Sequence, residues 1–174
     1  TCLVGSEMCI RDRPGKDITN EDLQSKFPLA AKKHSKHKTI IEVGNHLIGG
    51  DELIIFAGPN TVENKEMIIE TAKQVKKRGA HFLRAGAYKP LTFPYRSSSY
   101  FELREKGIEY LKEAKELTGI KVITEIMHIE KIEEISSVSD ILQVGTRNMQ
   151  NYPLLEALGK QKKPVMLKRH YGCL

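Results

Sequence analysis

Four stretches of this 174-residue chain carry charged side chains within or just after an apolar run, cationic in three of them. The first is Phe82 to Tyr95, FLRAGAYKPLTFPY. It opens as a short apolar run and passes at once into a loop carrying Arg84 and Lys89, small residues (Ala85, Gly86, Ala87) and two prolines (Pro90, Pro94). Small residues let a ligand approach the backbone closely. Two cations with Thr92 suit an anionic, hydroxylated ligand such as a sugar phosphate. On this stretch alone, a plain basic loop after a strand explains the residues equally well.

The recurrence of the pattern favours a site. Lys121 to Glu125 (KVITE), Ile141 to Arg147 (ILQVGTR) and Val165 to Arg169 (VMLKR) are apolar runs with a charged residue at or just past the C-terminal end. In α/β sheets the strand ends and the loops after them line one face, and that face carries the site. Arg84 and Lys89, Glu125, Arg147, and Lys168 with Arg169 would then form one cationic pocket with a single carboxylate.

The elements that must position these residues alternate. Leu53 to Ala57 (LIIFA) reads as a first strand, buried on both faces because its apolar run is unbroken. Glu63 to Arg78 has helical periodicity, with Met67, Ile68, Thr71, Ala72 and Val75 on one face. Phe82 to Ala85 is the second strand. Phe101 to Leu117 is a helix burying Leu103, Ile108, Leu111, Ala114 and Leu117. Strands at Lys121 to Glu125, Ile141 to Val144 and Val165 to Lys168 alternate with helices at Ile129 to Val138 and Tyr152 to Leu158. Strands alternating with helices mean βαβ units and a parallel sheet. The strands start at 53, 82, 121, 141 and 165, roughly 28 residues apart, and eight such units would approach the usual (β/α)8 size of about 250 residues. The expected fold is therefore α/β: a partial (β/α)8 TIM barrel, strands one to five only, truncated at its C-terminal side. The outer edges of the first and fifth strands would be apolar and exposed.

Ahead of the barrel, Thr39 to Val43 and His46 to Ile48 flank Gly44 and Asn45, a two-residue hairpin signal. Such a hairpin could plug one end of a barrel. Asn20, before Glu21 and Asp22, could cap a short helix. Thr1 to Arg13 matches no local rule and resembles the translated remnant of a sequencing adapter. The expected division is a non-native leader (1–13), a polar and basic segment (14–38), a β-hairpin (39–50) and an incomplete barrel domain (51–174). Ser97 to Ser99 lie in the best candidate for a mobile loop.

Composition narrows the class. With 40% hydrophobic and 29% charged residues the chain is globular rather than disordered. Aromatics at 6% and the absence of Trp argue against a stacking platform for nucleic acid. The net charge of +6 owes much to Lys32, Lys33, Lys36 and Lys38. That run reads as a solvated linker, with a nucleic-acid-binding segment as the competing reading. Cys2, Cys9 and Cys173 are odd in number and fit no metal spacing, so a reducing, cytoplasmic location is expected. No apolar run approaches the length needed to span a membrane.

LRAGAYKPLTFPY (83–95), VITEIM (122–127), DILQVGTRNMQNYPLLEALGK (140–160) and PVMLKR (164–169) together resemble the 3-deoxy-D-arabino-heptulosonate 7-phosphate (DAHP) synthases of the short bacterial type, in order and in register from about Thr39 to Arg169. The resemblance implies a transferase that condenses phosphoenolpyruvate with erythrose 4-phosphate, the first step of the shikimate pathway. It implies that Arg84, Arg147 and Lys168, with the backbone at Gly145 and Thr146, hold phosphoenolpyruvate. Lys89, with Pro90 and Thr92, would meet erythrose 4-phosphate and protonate its aldehyde oxygen, and Glu125 would orient water or the enol ether. A homo-oligomer at full length is implied; a nucleic-acid or membrane partner is not. Three positions depart from the family. Gly58-Pro59-Asn60 stands where the family has a metal-binding cysteine in GPC. Leu91 replaces the arginine of KPRT, and His170-Tyr171-Gly172 replaces a glycine-rich segment. An amide oxygen is a weaker donor than a thiolate to a divalent transition metal, so the expected reaction is metal-free or weakly metal-dependent, with no organic cofactor. The family's remaining metal ligands lie on later strands, and His128 and His170 are read as surface or loop residues. The fragment itself is expected to be inactive. The sister family, 3-deoxy-D-manno-octulosonate 8-phosphate synthase, is the alternative; KPLT at 89–92 argues against it.

Overall fold

Residues 19–26, 28, 31, 33, 36–89 and 102–170 are described by a computed structural model of the chain. The leader (1–13), the three cysteines, and the 90–101 segment with Pro90, Thr92 and Ser97 to Ser99 lie outside the described residues. Described residues up to Ile40, with His170, form one compact unit, and Ile41–Arg169 form a second.

The first unit holds α1 (Asn20–Lys26). Its cap is Thr19 rather than Asn20. The Asp22 amide donates to Thr19 Oγ1 at 3.2 Å, and the Thr19 amide donates to Asp22 Oδ2 at 3.0 Å. This is the reciprocal arrangement of a capping box, which places the capping hydroxyl three residues before the carboxylate.

The second unit opens with the hairpin β1 (Ile41–Val43) and β2 (His46–Ile48), closed by Val43 opposite His46. Gly44 takes φ 65°, the left-handed conformation this two-residue turn demands. The strands β3 (Phe56–Ala57), β4 (Phe82–Arg84), β5 (Lys121–Glu125), β6 (Ile141–Val144) and β7 (Val165–Leu167) follow, all parallel and adjacent in chain order. The crossovers are α2 (Lys65–Lys77), α3 (Glu105–Thr118), α4 (Ile132–Val138, entered through a 3-10 turn, Ile129–Lys131) and α5 (Tyr152–Gly159). Side-chain caps start two of them: Asn64 Oδ1 accepts from the Met67 amide at 2.8 Å, and Asn151 Oδ1 from the Leu154 amide at 3.3 Å.

Because side chains alternate along a strand, the sheet has two different faces. Leu83, Val122, Leu142 and Val144 face the helices and join Ile68, Ala72, Ile108, Leu111, Ile135 and Leu154 in the main core. Phe82, Ile123 and Ile141 face the other way, packing with Val43 and Ile48 of the hairpin and with Phe56 and Met166. The hairpin thus seals the face at the strand starts, while the strand ends on that face are left to polar residues.

Two expectations fail. LIIFA is not a strand buried on both faces: only Phe56 and Ala57 pair, and Leu53 is 79% exposed. β3 is the outer strand of this sheet and is covered from one side alone. Leu117 is 61% exposed, since the buried stripe of α3 (Gly107, Ile108, Leu111, Ala114) runs to one side of it. At the opposite edge Val165 and Leu167 are also exposed.

Phe82 is fully buried and stacks on Phe56 at 4.8 Å. Phe82→Ala is expected to cost about 3–5 kcal/mol, read as a lower urea midpoint with an unchanged slope.

Candidate active site

On the hairpin-sealed face, each strand that begins apolar ends polar. Alternation carries Phe82 to Arg84, Ile123 to Glu125, Ile141 to Gln143 and Met166 to Lys168. Register then sets Glu125 of β5 directly beside Gln143 of β6. Arg84 Nε donates to Gln143 Oε1 at 3.0 Å, and Gln143 Nε2 donates to Glu125 Oε2 at 3.3 Å. Lys89 enters from the loop after β4 and brings Nζ within 3.4 Å of the same Glu125 oxygen. Lys89, Glu125 and Gln143 are all buried, and Arg84 is half-buried.

Two glycines make this approach possible. A β-carbon on Gly86 would lie 2.2 Å from Lys89 Cε, and one on Gly145 would lie 2.1 Å from Glu125 Oε1. Both are distances that real side chains do not tolerate, so any larger residue must displace the charged group. Gly86 is further pinned by its amide, which donates to the Asn60 carbonyl at 3.3 Å, and by its own carbonyl, which accepts from Val62 at 2.9 Å.

Burial pushes the Lys89 amine below its ordinary 10.5, because desolvation disfavours the ammonium. The positive charges of Arg84 and Lys168 push the same way, and Glu125 opposes them. The consequence for stability follows from the sign. The folded protein carries a penalty for the charged Lys89 at pH below its folded pKa, and that penalty is relieved as pH rises through that pKa toward 10.5.

The sequence-derived residues fall into three groups. Arg84, Lys89, Glu125 and Gly145 are assembled into one contiguous site. Thr146, Arg147 and Lys168 border it: Thr146 and Arg147 lie in the 3-10 turn Thr146–Asn148 after β6, and Lys168 extends the β6–β7 ladder through its amide to Val144 at 3.0 Å. Arg147 and Lys168 are exposed, leaving their charges at the rim. Pro90 and Thr92 lie outside the described residues. Gln143 was missed by sequence reasoning, although it joins Arg84 to Glu125. Its signal was a single polar residue inside the otherwise apolar ILQV run.

With three cations around one carboxylate, the site attracts anions and can hold a proton on Lys89 at a place screened from water. Among the described residues no three His, Cys, Asp or Glu side chains converge, and Asn60 is exposed. His128 is exposed, 3.9 Å from Glu130.

A parallel α/β sheet with charged groups gathered at its strand ends places the chain in the class of barrel-type α/β proteins, which carry their sites at that face. Within it, the chain belongs to the DAHP synthetase I family, which it matches over residues 26–172. It is 41% identical over 145 residues to a Thermotoga maritima phospho-2-dehydro-3-deoxyheptonate aldolase, covering 83% of this chain and 42% of that protein. A Campylobacter jejuni 2-dehydro-3-deoxyphosphooctonate aldolase is 28% identical over 122 residues, 68% of this chain and 46% of its own length. The crystal structure of a Thermotoga maritima DAHP synthase superposes with a TM-score of 0.68 at 41% identity, covering 76% of this chain and 37% of that one. A truncated form of 3-deoxy-D-arabino-heptulosonate 7-phosphate synthase from the same organism gives 0.67 at 35% identity, covering 87% and 50%. The chain thus spans under half the length of the curated relatives it matches. The barrel fold of these neighbours is the one expected from the strand–helix alternation.

Glu125→Ala removes the one group that raises Lys89, so the Lys89 amine is expected to titrate still lower, followed by the pH dependence of its 13Cε resonance. Gly145→Ala, which forces Glu125 away, is expected to shift Lys89 in the same direction. An unmoved Lys89 in both variants would dissolve the buried pair.

Proposed function

We propose that the protein carrying this sequence condenses phosphoenolpyruvate with erythrose 4-phosphate, releasing phosphate. The observation that supports this most is the buried Lys89–Glu125 pair ringed by Arg84 and Lys168. It combines anion-holding cations with one poised proton donor, as a carbon–carbon condensation of two phosphorylated substrates requires.

In this reading Arg84, Arg147 and Lys168 hold the phosphate and carboxylate of phosphoenolpyruvate, where guanidinium forks match both groups. The backbone at Gly145 and Thr146 lines the same ligand. As the phosphoenolpyruvate carbon attacks the aldehyde, Lys89 gives its proton to the aldehyde oxygen, with Pro90 and Thr92 beside the aldose phosphate. The lowered pKa makes Lys89 a stronger acid than a solvated lysine. Glu125, oriented by Gln143, positions the water that adds to the enol-ether carbon before phosphate leaves. Much of the rate comes from holding the two substrates together and from fixed charges facing developing charge. No step uses a metal, and Asn60 marks a metal-free or weakly metal-dependent site. The partners are small phosphorylated molecules.

The test uses a protein in which this sequence replaces the matching part of the Thermotoga maritima relative, supplied with phosphoenolpyruvate and an aldose phosphate. Phosphate release with erythrose 4-phosphate is expected, and Lys89→Ala should lower kcat by about 10²–10⁴-fold. The rate should fall on the alkaline side as Lys89 deprotonates, with a midpoint below 10.5. Release that stops with chelator would remove the metal-independent part of the reading. Release with arabinose 5-phosphate alone would replace the substrate assignment.

A further inference from the structure

The loop that delivers Lys89 is tied at its base by a clasp that the reaction scheme does not use. Glu102, whose side chain is 13% exposed, spends both carboxylate oxygens locally. Oε2 accepts the backbone amide of Lys89 at 2.6 Å, and Oε1 accepts Arg104 Nε at 3.0 Å. The Arg104 amide in turn donates to the Ala87 carbonyl at 3.0 Å. Arg104 holds φ 49°, ψ −122°, the only positive φ outside glycine among the described residues. Such a conformation is costly for a residue with a β-carbon and persists when the surroundings over-determine it. From the other side, the Ala87 amide donates to Thr124 Oγ1 at 3.4 Å, next to Glu125 in sequence. Gly107 of α3 lets that helix press on Ala87, since a β-carbon there would lie 2.9 Å from the alanine methyl.

We propose that Glu102 is a positioning residue for Lys89, holding its backbone so that Nζ reaches Glu125. The proposal rests on the reading of Lys89 as the proton donor. The charges that move the Lys89 amine are those of Arg84, Glu125 and Lys168, so Glu102 acts through geometry. Two charge-assisted hydrogen bonds on one carboxylate stabilise the conformation of Arg104, and that conformation closes the loop base on Ala87 and Lys89.

The experiment is nuclear magnetic resonance on the isotopically labelled 174-residue chain. The Lys89 amide is expected to lie downfield and to move as a carboxylate titrates, and Glu102→Gln should abolish that movement. Glu102→Ala should return the Lys89 side-chain titration toward 10.5 as Nζ leaves its buried place. Glu102→Gln keeps an acceptor oxygen and should leave it depressed. In the extended enzyme Glu102→Ala should lower kcat by about 10–100-fold with the phosphoenolpyruvate KM unchanged, restored by Gln. A Lys89 amide indifferent to acid pH, or a Lys89 titration identical in wild type and Glu102→Ala, overturns the proposal. If the alanine variant does not fold, the wild-type amide and the glutamine variant decide. Turnover unaffected by Lys89→Ala would sink the proton-donor reading instead, and leaves the Glu102 clasp to be judged by resonance alone.

Discussion

Two opposite charges buried 3.4 Å apart, Lys89 and Glu125, set the terms for the rest of the structure. Taking an ammonium and a carboxylate out of water costs several kcal/mol each, and their attraction offsets it only when the remaining hydrogen-bonding positions are filled. The neighbours are those this demands. Gln143 donates to Glu125 and receives Arg84, so the amide links a cation to the carboxylate without adding charge. Gly86 and Gly145 leave space for the pair. Removing either ion strands the other, so the pair is poor evidence of stability and better evidence of a chemical role.

The pair can exist because one face of the sheet is divided along its length. At the strand starts Phe82, Ile123 and Ile141 meet Val43 and Ile48 of the hairpin in a dry contact. Two residues further on, the same strands present Arg84, Glu125 and Gln143. The hairpin covers the strand starts on that face. The opposite face packs on helices throughout, so Arg84, Glu125 and Gln143 stand on strands, whereas Lys89 arrives on a loop. That exception explains why so many contacts, from Thr124, Gly107 and the Glu102–Arg104 clasp, converge on residues 87–89.

Periodicity identified the helices, and apolar runs the three inner strands, most of whose residues are buried. Ile141–Val144 was legible to the residue, its four positions all buried. Legibility failed at the margins. LIIFA looks like a fully buried strand, yet an outer strand pairs on one side and exposes Leu53 and Ile55. Leu117 has the right hydropathy in the wrong phase. Gln143 drew no attention inside its strand, and nothing in Glu102 or Arg104 marked a clasp, because Lys89 and Ala87, which the clasp ties, lie more than ten residues away in sequence.

The amino-acid sequence by itself determined the alternation of strands and helices, the parallel sheet, the placement of Arg84, Glu125, Arg147 and Lys168 at strand ends, and the hairpin at Gly44-Asn45. These are local properties: propensity, period and turn chemistry act over a few residues. Tertiary structure alone decided that Glu125 stands beside Gln143, that Lys89 bends back into the sheet rather than into solvent, and that burial lowers its proton affinity. Register, solvent exclusion and charge–charge distance depend on which strands meet and in what alignment. Those quantities come into being only when segments distant in the chain pack against one another.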